Sequence, residues 1–133
     1  MNLILESHPF VILLGKTQIT PIVINAINKD YDIVPFLYAA SRPYHIPCVS
    51  RYKFFRLKYP ENIYYTLQTL KDFCKNDDNK YTTILIPMTK KYSDLVKKNK
   101  DDLESSFIIK SAESLIKSLP TIASKKELNL ESL

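Results

Sequence analysis

Glycine is nearly missing from this chain: Gly15 is the single one in 133 residues. Average usage would supply about nine. Other positions that need a positive φ must fall to asparagine and aspartate, which tolerate it next best. Asn28-Lys29-Asp30 and Asn76-Asp77-Asp78-Asn79 are the turns expected on that ground. Tryptophan is absent, and histidine is limited to His8 and His45, which lack partners at ligand spacing. Both are assigned structural or surface positions. The two cysteines, Cys48 and Cys74, lie outside any Cys-x-x-Cys or Cys/His cluster, which excludes the usual metal and redox templates. They read as small buried residues in a reducing compartment. Long apolar runs are missing too. The longest, Phe10 to Leu14, falls far short of the ~20 residues that span a bilayer. No basic segment opens the chain, and Glu6 stands where a signal peptide would carry its charge. A cytoplasmic protein with no membrane partner is expected.

What remains is ordinary for a globular domain. Hydrophobic residues make up 45% and charged residues 25%, enough to build one core without disulfides or metal. The net charge is +5, and the excess gathers at Lys90, Lys91, Lys97, Lys98 and Lys100. On a helix such a run reads as a solvated face. No nucleic-acid motif accompanies it and only Tyr92 is interleaved, so a nucleic-acid partner is not expected.

The apolar pattern alternates between strand and helix. Residues 10–15 read as a buried strand bounded by Pro9 and Gly15. Thr20-Pro21 marks a helix start, with Thr20 as cap and Pro21 first in the helix. Residues 32–38 form a second strand, made awkward by Pro35 inside it. Residues 53–57 form a short third strand near an edge. Pro60-Glu61 opens a helix with Ile63, Leu67, Leu70 and Cys74 as its stripe. Residues 82–86 form a fourth strand, closed by Pro87. A helix marked by Tyr92, Leu95 and Val96 follows, then a fifth strand at 106–109. Ser111 caps a last helix carrying Ala112, Leu115, Ile116 and Leu119. The alternation predicts an α/β fold: a Rossmann-like open parallel sheet of about four or five strands, with helices on both faces.

In such a sheet, ligands sit beyond the carboxyl ends of the strands, where the strand order reverses. If the first strand lies beside the fourth, that crevice is lined by Gly15, Lys16 and Thr17 and by Pro87, Met88, Thr89 and Lys90. The helix start near Thr20 would favour an anion there. Two readings stay open. Either Gly15 simply ends a strand, or its loop touches a carboxylate or phosphate. Arg51 is likewise either a satisfied surface cation or an anion clamp. A lone glycine is far from a dinucleotide fingerprint. No nucleophile elbow is present either, and no catalytic residue is assigned.

The order of segments resembles the pre-ATP-grasp domain, the N-terminal part of ATP-grasp ligases of the carbamoyl-phosphate-synthase-like and carboxylate–amine ligase type. The resemblance rests on FVILLG, on Ser50-Arg51-Tyr52 with Phe54-Phe55, on Ile84 to Thr89 (ILIPMT), and on Leu103, Phe107 and Ser111-Ala112-Glu113. It covers residues 9–119. It implies a pre-ATP-grasp-like domain over 1–119, with 120–133 as a tail or the start of an ATP-grasp domain. It further implies one wall of a cleft for a small carboxylate or amine substrate, with Gly15, Lys16, Thr17, Arg51, Thr89 and Lys90 as substrate-side residues. ATP and Mg²⁺ would serve the full-length ligase and be held by its C-terminal ATP-grasp domain, none being bound by this segment. A homo-oligomer is left open. The other reading is a standalone α/β module that binds an anion or a protein.

Overall fold

The computed structural model describes Leu5 and residues 9–42, 51–75 and 83–123. Three strands with continuous apolar sequence form the middle of one sheet: β1 (Phe10–Leu14), β2 (Phe36–Ala39) and β4 (Thr83–Pro87). Two short strands flank them, β3 (Lys53–Arg56) beside β2 and β5 (Ile108–Ile109) beside β4. The order is β3-β2-β1-β4-β5 and every pairing is parallel. This is the expected α/β architecture, with helices on both faces. Parallel strands need helical crossovers, so both faces are covered and the central strands carry no polar face.

Alternation along each strand divides the core in two. Val11, Leu13, Leu37, Ile84 and Ile86 face one layer of helices: α1 (Thr20–Tyr31), α5 (Ala112–Lys117) and α6 (Pro120–Ala123). Ile12, Leu14, Phe36, Tyr38 and Leu85 face the other: α2 (Ile63–Lys75) and α3 (Lys90–Lys98), with the single turn α4 (Lys100–Leu103) contributing Leu103. No helix among the described residues is long and apolar enough to cross a membrane.

Several boundaries differ from the sequence expectation, each for a local reason. Ile19, not Thr20, caps α1, and Thr20 is already helical. The Thr20 hydroxyl is taken by the Thr17 N–H at 2.7 Å instead. The positive φ falls at Asp32 (φ 56), after α1 has run through the expected turn at 28–30. Pro35 lies just before β2 rather than within it, and its carbonyl accepts from Lys53 N at 2.9 Å. Its missing N–H therefore breaks no ladder. Pro60-Glu61 does not open α2. Asn62 does, its side-chain oxygen accepting from Tyr65 N at 3.0 Å. Pro87 is the last residue of β4 and pairs with Leu14. Ser111 caps α5 as expected, accepting from Ser114 N at 3.0 Å. Cys48, the side chain of Cys74 and the turn at 76–79 lie outside the described residues.

Beyond residue 119 the chain still packs on the domain. Ile122 is buried with the α1 layer, and Asp30 accepts from both the N–H and the hydroxyl of Thr121. Tyr31 donates its hydroxyl to Ser118 O at 2.8 Å, a second tie between the two ends of this layer.

The buried Asn28 joins α1 to the strands at the amino edge. Its amide nitrogen donates to Ile33 O (2.8 Å) and Arg51 O (3.0 Å), and its oxygen accepts from Arg51 N (2.7 Å). A buried amide serving three backbone groups cannot be removed without leaving them unpaired. Asn28→Leu is expected to lower the unfolding free energy by about 2–4 kcal/mol in urea titrations. Asn28→Asp, isosteric but with an anionic oxygen facing two carbonyls, is expected to cost more than Asn28→Leu.

Candidate functional site

The direction of strand addition reverses between β1 and β4, which are hydrogen-bonded neighbours from Phe10–Thr83 to Leu14–Pro87. Their carboxyl ends thus form the switch point at which open parallel sheets bind ligands. Gly15 leaves β1 with φ 92, its N–H donating to Tyr38 O at 2.7 Å, while Met88 N donates to Leu14 O at 2.8 Å. The chain is pinned on both sides as it exits the sheet.

Gly15, Thr17 and Thr89 serve the fold directly at this point. A Cβ on Gly15 would lie 2.7 Å from Tyr92 Cδ2 and 3.0 Å from Thr89 Cγ2. The first turn of α3 therefore sits in the space a side chain would take, and the Tyr92 ring fills the crevice between β1 and β4. Thr89 caps α3 by accepting from Tyr92 N at 3.2 Å. Thr17 organises the entry to α1, its hydroxyl accepting from Ile19 N at 3.3 Å.

The cations lie outside this plug. Lys16 donates to Ser41 Oγ at 2.6 Å and to Arg42 O at 3.1 Å, tying the loop after β1 to the loop after β2. Lys90 is exposed at the first turn of α3. Arg51 is placed elsewhere. It precedes β3 and pairs with Asp32, which precedes β2, so both lie at the amino edge. That pair spans 2.7 Å with both side chains more than half exposed, so it is worth under about 1 kcal/mol. Five of the six expected site residues thus share the carboxyl edge, and Arg51 does not join them.

Two features at this edge were missed in the sequence. Tyr92 reads as one apolar position of a helix, and nothing in its spacing shows that it faces the only glycine. Ile63, expected on the buried stripe of α2, is exposed, and so are Tyr59 and Tyr64. Leu67 and Leu70 are buried as expected, with Thr66 beside them. The Pro60 turn delays the helix and rotates its first residues outward.

Among the described residues, Tyr92 is the titratable group whose ionisation is clearly displaced. Burial pushes its hydroxyl above the ordinary 10.0. The Lys91 ammonium opposes the shift and the Glu61 carboxylate adds to it. A phenol that resists ionisation when folded stabilises the fold fully below the unfolded pKa, and that stability is lost as pH rises through the folded value. Stability is expected to fall above about pH 10, and Tyr92→Phe should lessen that fall in urea titrations across this range. Gly15→Ala is expected to lower stability by about 2–4 kcal/mol, from a strained φ and the overlap with Tyr92. Gly15→Ala combined with Tyr92→Leu should recover the overlap part alone, as read from thermal melts.

Among the described residues no group of His, Cys, Asp and Glu could hold a metal ion. What the edge offers is the Lys16 bridge and the exposed Lys90 beside a plugged crevice. No family model matches this chain, and no curated protein or solved structure matches it at a significant level.

Proposed function

We propose that this chain is the N-terminal, substrate-side domain of an ATP-dependent ligase that joins a carboxylate to an amine through an acyl-phosphate. One observation carries the reading. The segments that resemble the pre-ATP-grasp domain, FVILLG and ILIPMT, are far apart in sequence and meet at the switch point, where Gly15 packs against Thr89. In this reading Lys16 and Lys90 form part of the wall that faces a small carboxylate. Gly15, Thr17 and Thr89 hold that wall in shape. Arg51 steadies the amino edge.

ATP and Mg²⁺ would be held by an ATP-grasp domain following in the same polypeptide. Activity then belongs to the two domains together, and a cytoplasmic location goes with it.

An antibody raised against this domain tests the reading on extracts of the source cells. The expected band is well above 15.5 kDa. The protein it captures should release ADP only when a carboxylate and an amine are both supplied. A band at 15.5 kDa alone would sink the ligase reading and leave a free-standing binding module.

A further inference from the structure

We propose that the corner between β3 and α2, at the carboxyl edge of the sheet, binds single-stranded nucleic acid. This goes beyond the ligase reading and does not rest on it. Lys58, Tyr59, Ile63 and Tyr64 line one open concavity of about 710 Å³. Tyr64 is 84% exposed and Tyr59 61%, so both rings are open to solvent. Tyr59 is braced edge-on by Tyr65, with centroids 5.2 Å apart and planes at 89°. The Tyr65 hydroxyl in turn accepts from Lys58 N at 3.4 Å. These contacts hold the Tyr59 ring in place without covering it.

The cations come from two elements. Lys58 follows β3, and Lys90 and Lys91 open α3. Lys91 reaches Glu61 at 3.3 Å, which draws the start of α3 against the concavity. Glu61 is the sole acid between Lys53 and Lys71, and it is already paired. Among the described residues, no carboxylate pairs with Lys58 or Lys90. The N-terminal ends of α2 and α3 add partial charge of the same sign.

The rim therefore asks for a polyanion, and the rings ask for flat apolar groups. A second copy of the chain would set this rim against itself across a twofold axis. An acidic polypeptide would use the cations and leave the rings without stacking partners. A single strand supplies phosphates and bases together, the combination that sequence-tolerant binding sites read. The lysine run in the sequence argued against such a partner because only Tyr92 is interleaved with it. Tyr92 proves buried, and the exposed rings arrive from a different element.

The test is fluorescence anisotropy of the whole chain with a labelled single-stranded oligouridylate, titrated with salt. Binding is expected with a log–log salt slope of about −2 to −3, for three or four phosphates at ~0.7 each. Tyr64→Ala should weaken it about 5- to 150-fold, and Tyr64→Phe should restore it. Lys58→Ala with Lys90→Ala should flatten the slope by about 1.4. Lys97→Ala with Lys98→Ala, at the far end of α3, should change neither. Tyr64 is exposed enough that its replacement leaves the fold intact, which circular dichroism checks. The proposal is overturned by any of three results: no binding at low salt, equal affinity for Tyr64→Ala, or polyglutamate binding as tightly as oligouridylate. The last would assign the surface to an acidic polypeptide.

Discussion

Gly15 carries no side chain, and the first turn of α3 occupies the space one would need. The approach is close enough that a methyl group would overlap the Tyr92 ring. Much follows from it. β1 and β4 can pair along five residues because the chain beyond β1 turns away with a positive φ. Thr89 can cap α3 directly above the pairing. Leu95 and Val96 are thereby set onto the second face of the sheet, where they share a core with Ile12, Leu14 and Leu85. A chain with a single glycine has it at the position where backbone and side chain would otherwise compete for one volume.

The same contact decides what kind of site the carboxyl edge can be. In many open parallel sheets the switch point is a crevice that receives a ligand. Here an aromatic ring of the protein occupies it. Lys16 lies in the loop outside this contact, bridging to Ser41 and Arg42, and Lys90 is exposed at the start of α3. Exposed cations on β3 also keep this edge strand from pairing with another chain.

The two edges of the sheet differ in kind. The amino edge is held by specific bonds: Asn28 to the backbone of Ile33 and Arg51, Arg51 to Asp32, and Thr121 to Asp30. These tie the β3 side and the chain beyond α5 back to the end of α1. The carboxyl edge spends its polar groups on helix starts, at Thr17, Asn62 and Thr89. Lys16 ties two of its loops together, and Lys91 reaches Glu61.

Much of the fold was legible in the sequence, because burial leaves a periodic trace. Phe10 to Leu14 and Thr83 to Ile86 had to be central parallel strands, since a strand covered on both faces has no polar side. The helical spacing of Ile19, Ile22, Val23, Ala26 and Ile27 pointed to a core face, which all but the exposed Ile22 join, and Ser111 had to start a helix. Exact starts were less legible where two local bonds competed for one group, as at Thr20 and Pro60. Asp32, not the expected Asn28 or Asp30, took the left-handed position because Asn28 was committed to distant backbone. The sequence alone thus determined the class of fold, the number of layers and the pairing of a lone glycine with a strand end. Only tertiary structure decided that Tyr92 fills the switch point, that Arg51 lies at the opposite edge, and that Lys91 reaches Glu61 beside Tyr59 and Tyr64. Those are meetings between elements far apart in the chain, and periodicity within one element carries no information about its neighbours.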